Sequence, residues 1–164
     1  MSTLREDIIK QSSWTVKTFE TDGYILDYTI NSLIELDRFF QRNLSNGRPK
    51  KGCRLAKNLG GIIFSVSSYI AEVLIKNVPN SHLVTDDSDP DGEINFSVEF
   101  GDGLICFPTQ RVMKRVTNGL EDSIYYYGYN LTKDILDINF NQEFWNIEKE
   151  IQLETESKVW WKVW

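Results

Sequence analysis

Apolar residues recur at helical spacing through much of this chain and at a spacing of two in only one segment. Leu4, Ile8, Ile9 and Val16 predict an amphipathic helix from Leu4 to about Phe19, capped by Ser2 or Thr3, with Trp14 off the stripe. Asp22-Gly23 breaks it, and Tyr24 to Tyr28 reads as an extended link. Thr29 or Asn31 then caps a second helix running to about Leu44. Leu33, Leu36, Phe39 and Phe40 line its inner face, and Glu35, Asp37 and Arg38 are assigned to the outer one. Ser45 to Gly52 is a loop punctuated by Asn46-Gly47 and Pro49. Leu55, Leu59, Ile62, Ile63, Val66, Tyr69, Ile70, Val73 and Leu74 form the strongest pattern, a helix with only Ser and Gly opposite until Glu72. Such a helix is buried on nearly all sides and is the expected centre of the fold. Gly60-Gly61 lowers its helix propensity by ~1 kcal/mol per glycine, which implies close approach of another element.

After Asn77 and Pro79 the period changes. His82 to Thr85 reads as one strand. Ile94, Phe96, Val98 and Phe100 alternate with polar residues as a second, and Leu104 to Phe107 returns after a Gly101-Asp102-Gly103 turn. Pro108 opens a short helix that stops at Asn118-Gly119, and Asp122 or Ser123 caps another carrying Tyr125, Tyr126, Tyr127 and Tyr129. Phe144, Ile147 and Ile151 suggest a helix near the end. The fold class is α+β: helices, including one long central buried helix, packed on a small antiparallel sheet of about three strands. The 164 residues make one domain, with 134–164 as a C-terminal appendage docking on it.

Composition narrows the function classes. A 41% hydrophobic and 13% aromatic chain has ample core material and is not disordered. Two distant cysteines, Cys53 and Cys106, do not make a disulfide scaffold. The first residues lack a basic segment leading into an apolar run, and the uncharged stretch Asn58 to Ala71 is too short to span a bilayer, so a cytoplasmic address without a membrane is expected. A net charge of −6 opposes nucleic-acid binding, and the basic 48–57 stretch carries no aromatic residue to stack a base.

Charge is sorted along the chain. Seven basic residues and no acid lie between Arg38 and Ala71, whereas seven acids and no base lie between Asp86 and Asp102. Either the two runs form solvated loops that pair weakly within the fold, or they make a dipolar surface that orients a partner.

Motifs for chemistry are incomplete. Asp87, Asp89, Asp91 and Gly92 match the opening of a calcium loop, but its twelfth position is Val98, where a bidentate Glu is required. His82 is the only histidine, and no nucleophile elbow or paired Cys/His spacing accompanies it. Cys53 lies among Arg48, Lys50, Lys51, Arg54 and Lys57, which would favour its thiolate, and Cys106 reads as core. No phosphate loop is present. The expectation is no metal, no cofactor and no catalytic residue.

Two features invite a partner. Asp87, Asp89, Asp91 and Glu93 crowd the acidic hairpin, and Trp160, Trp161 and Trp164 end the chain, where aromatic residues suit an interface anchor or a contact between copies. The alternative is a small-molecule-binding domain or small enzyme. It would use a pocket between central helix and sheet, lined by Tyr125, Tyr126, Arg111 and Arg115.

The segments ILDYTINSLIELDRFF, GGIIFSVSSYIAEVLIKN and ICFPTQRVMKRVTNG, in that order around an acidic hairpin, resemble a family of small bacterial proteins of unknown function. The similarity spans about residues 24–120 and carries no catalytic signature. Small acidic proteins of this general kind include immunity proteins that neutralise a toxin. The expected function is therefore a non-enzymatic protein-interaction domain, immunity-like, binding another protein through the acidic hairpin or the aromatic tail.

Overall fold

A computed structural model describes residues 1–162. Helix α1 runs Leu4–Thr21 and begins in a capping box. The Glu6 amide donates to the Thr3 hydroxyl while the Glu6 carboxylate accepts from the Thr3 amide at 2.8 Å. Its buried face is Ile8, Ser12, Thr15 and Phe19, and Ile9 points to solvent. The expected stripe was displaced because two small hydroxyl residues let α1 approach the central helix closely. Thr15 donates to the Ser65 carbonyl at 2.9 Å, so its polarity costs nothing there.

A 3₁₀ turn, Ile30–Ser32, capped by Thr29, leads into α2, Leu33–Asn43. One assignment on α2 is corrected: Asp37 is completely buried, on the same face as Leu33 and Phe40. Two-residue strands β1, Leu44–Ser45, and β2, Arg48–Pro49, make a minimal hairpin where a loop was expected. Asn46 and Gly47 both adopt positive φ, 49° and 73°, which is the geometry such a turn needs.

The central helix is interrupted near its start. A turn of helix, α3, Arg54–Lys57, ends at Asn58, and α4 runs Leu59–Asn77. The Asn58 side chain accepts from the Gly61 amide at 3.1 Å as the N-cap. A Cβ on Gly61 would lie 2.2 Å from that side chain, whereas one on Gly60 would meet nothing. Gly61 thus makes room for the cap, and neither glycine makes room for another element. Beyond it Ser65, Ser67 and Ser68 are all buried, each donating back to a carbonyl four residues earlier. Among the described residues α4 alone is long and apolar enough to cross a membrane, and 61% of that window is buried inside the protein.

Strands β3, His82–Val84, β4, Ser97–Glu99, and β5, Ile105–Cys106, form an antiparallel sheet in that order. Leu83, Val98 and Cys106 lie side by side in register and are buried beneath α4. The second strand is shorter than its alternation implied: Gly92–Asn95 is one helical turn, α5, and Ile94 is exposed. Asp89 holds that turn closed, accepting from the Asp91 amide and the Asn95 side chain at 2.9 Å each.

Helix α6, Pro108–Asn118, packs on α4. Helix α7, Ile124–Leu136, is capped by Ser123 and crosses α2, where a Cβ on Gly128 would stand 2.5 Å from Leu33. After a 3₁₀ turn at Gly119–Asp122, a further one at Gln142–Asn146 leads to α8, Ile147–Trp160. Ile147 and Ile151 bury its first half against α2, so the appendage begins as part of the core.

Candidate functional site

The two charge runs meet different fates. Arg38 pairs with Glu35 on its own helix and with Glu150 on α8 at 3.1 Å. Arg42 pairs with Glu154 at 2.7 Å and Arg54 with Asp22 at 3.0 Å. Arg38 and Arg42 are therefore answered by α8 and Arg54 by Asp22, none of them by the acidic hairpin, and among the described residues Arg48, Lys50, Lys51 and Lys57 lie in no ion pair. The Arg42 guanidinium holds the Glu154 carboxyl below the usual carboxylate range.

The acidic hairpin is answered by neutral donors. Asp87 accepts from the Leu4 amide at 2.7 Å and so caps α1 from outside. Asp86 accepts from the Ser88 hydroxyl at 2.6 Å and the Ser88 amide at 2.8 Å, which lower its pKa. Asp7, in the first turn of α1, accepts from the Ser2 hydroxyl at 2.8 Å. Among the described residues, neither Asp7 nor any carboxylate from Asp86 to Glu93 lies in an ion pair.

Asp7, Asp86, Asp87, Asp89 and Glu93 line a groove, and Asp91 stands outside it. One part, about 430 Å³, lies between the N-terminus of α1 and the hairpin, walled by Asp86, Asp87 and Asp89. The next, about 500 Å³, lies between α1 and the start of α4, with Trp14, Gln11 and Asn58 on its walls. Asp7 and Glu93 border both, so the two adjoin along a shared wall. Glu93 also borders a third, apolar cleft of about 250 Å³ between α4 and α6. No lysine or arginine lines any of the three. The Met1 α-ammonium is the one cation on these walls, and Asp7, Asp86, Asp87, Asp89 and Glu93 outnumber it, so the concave wall concentrates negative potential there.

The expected partner residues are thus divided. Asp87 and Asp89 are partly committed to holding α1 and α5, whereas Asp91 and Glu93 are exposed. Trp160 and Trp161, at the end of α8, are 72% and 86% exposed, and Trp164 lies outside the described residues. The sequence reading missed Asp7 and Trp14. Their signal was an acid in the first turn of α1 and a tryptophan off its apolar stripe.

The four residues assigned to a pocket do not share one. Tyr125 is buried, its hydroxyl accepting from the Asn141 amide at 2.7 Å, and Tyr126 is half-exposed against Phe140. Arg115 is buried against Asp37 at 2.7 Å, because the buried carboxylate on α2 needs a cation. Arg111 alone reaches a surface depression, about 160 Å³, where it pairs with Asp122 at 2.7 Å and lies over the Tyr127 ring.

Nucleophile chemistry finds little support. Burial pushes the Cys106 thiol up to about 11. Cys53 is half-buried and donates to the Asn43 carbonyl. His82 is exposed and faces Glu99 at 3.4 Å. Among the described residues no group of three or more His, Cys, Asp or Glu is placed to hold a metal ion. The chain matches no protein-family model, and no curated protein or solved structure proved similar to it.

Proposed function

We propose that this chain is a cytoplasmic, non-enzymatic interaction domain that binds a positively charged protein, in the manner of an immunity protein covering a toxin's basic site. The observation that carries the reading is the groove whose carboxylates have neutral donors and no lysine or arginine on its walls, the Met1 α-ammonium being the one cation there. The fold neutralises many of its other charges internally, and leaves these to solvent. A cationic partner would gain Coulomb energy there and would be steered on approach, an effect that falls as salt rises. The half-exposed Trp14 ring offers a face to an arginine or lysine.

The test is affinity capture from cells of the source organism, run at low and moderate salt beside an Asp91→Asn/Glu93→Gln variant. Both side chains are exposed and outside the capping contacts. The reading expects one stoichiometric protein partner, weakened by salt and by the variant. Equal capture by the variant at low salt would contradict it.

A further inference from the structure

The apolar cleft at the end of the acidic groove is walled by Ile63, Phe64, Ile94 and Met113 and encloses about 250 Å³. Small-molecule pockets run ~300–1,000 Å³, so this cleft suits one large side chain better than a whole ligand. Ile94 and Met113 are about two-fifths exposed, which leaves an apolar surface at its mouth. Glu93 stands at the rim and belongs to the acidic groove as well. The occupant that satisfies this wall carries an aromatic or aliphatic side chain with a cation beside it.

The chain itself presents such a segment. Glu154 is the last residue of α8 held to α2, through Arg42, and every described residue after it is exposed. Residues 158–162 read Lys-Val-Trp-Trp-Lys. Lys158, Trp161 and Lys162 are spaced three and four apart, and the Lys162 amide bonds to the Val159 carbonyl at 3.1 Å, so the turn continues through them. That spacing puts the ring and both ammonium groups on one face. Leaving Trp160 and Trp161 in water forgoes the burial that makes tryptophan a strong interface anchor.

We propose that the end of α8 from one copy docks in the cleft of a second copy, Trp161 entering between Ile94 and Met113 while Lys158 and Lys162 face Glu93 and the acidic groove. The contact is head-to-tail, because each copy carries one donor helix and one acceptor cleft, so it propagates or closes a ring. It occupies part of the groove assigned above to a cationic partner, and the two occupants exclude each other.

The test is sedimentation velocity on the full chain across a concentration series at low and high salt, with no partner present. Two variants sit at exposed positions, Trp160→Ala/Trp161→Ala on the donor and Met113→Lys on the acceptor, and circular dichroism checks that each is folded. The proposal expects wild type to sediment faster as concentration rises at low salt, and each variant alone to stay at the monomer value. An equimolar mixture of the two variants restores one good contact, so it forms a dimer and nothing larger. Wild type that stays monomeric throughout, a Met113→Lys protein that assembles like wild type, or a mixture that stays monomeric would each overturn it. Because no partner is present, that failure leaves the capture experiment unaffected.

Discussion

Asp37 on α2 and Arg115 on α6 meet at 2.7 Å with essentially no access to solvent. The same carboxylate accepts from the Ser123 hydroxyl and the Tyr125 amide at 2.8 Å each and from the Ile124 amide at 3.2 Å. Asp37 therefore caps α7 from another helix, and one side chain ties α2, α6 and α7 together. Arg115 completes the arrangement by donating to the Asp37 carbonyl and to Gln41.

Removing one member of a buried ion pair leaves the other charged and unsatisfied, at a cost of about 3–5 kcal/mol. Asp37→Ala is expected to lose at least that much, because the α7 amides lose their acceptor too. Arg115→Met should cost less, since Asp37 keeps three donors. Urea unfolding of both single variants and of the double variant measures the coupling. Equal losses for the two single variants would show that capping of α7 contributes nothing.

Asp87 contributes to stability before it contributes to binding. Asp87→Ala removes the acceptor of the Leu4 amide and is expected to lower stability by ~1 kcal/mol, as for other lost N-caps. Asp91→Asn, which touches no cap, should leave the urea midpoint unchanged. Differential unfolding of the two variants separates structural acids from free ones.

The adjacent glycines at the start of α4 should respond in opposite ways. A Cβ on Gly60 meets nothing, so Gly60→Ala is expected to stabilise by up to ~1 kcal/mol through helix propensity. A Cβ on Gly61 would collide with the Asn58 cap, and Gly61→Ala should forfeit that gain or reverse it. Thermal melts of the pair decide the point.

Acid should loosen α8. The hydrogen bond from Arg42, together with its charge, lowers the Glu154 pKa in the folded protein. A lowered carboxylate pKa contributes stability that is present above the unfolded value, ~4.3, and is lost as pH falls through the folded value below it. Amide exchange in the second half of α8 is expected to rise over that window, and Glu154→Gln should abolish the pH dependence. A rise of equal size in Glu154→Gln would place the acid-sensitive contact elsewhere.

Much of this architecture was legible locally. Ser2 or Thr3 announces the start of α1, Pro108 the start of α6, and Gly101-Asp102-Gly103 the turn between β4 and β5. The α+β class followed from where the period changed. What escaped depends on distant partners. The spacing of Asp37, four from Leu33 and three from Phe40, puts it on the inner face, but its charge argues for solvent unless a cation is at hand, and Arg115 lies 78 residues away. The turn at 92–95 escaped because Asp89 closes it with side-chain bonds that outweigh the apolar alternation. The acids of the groove stood out as a run, but the absence of lysine and arginine from its walls did not. That emerged only when α8 proved to hold the carboxylates that answer Arg38 and Arg42.

The most direct measurement is an amide chemical-shift titration of the full chain with a short oligo-arginine peptide at low salt. The account predicts shifts concentrated at Asp7, Trp14 and residues 86–93, fading as salt is added. Shifts centred on the exposed glutamates of α8, or spread evenly over all acidic residues, would contradict it.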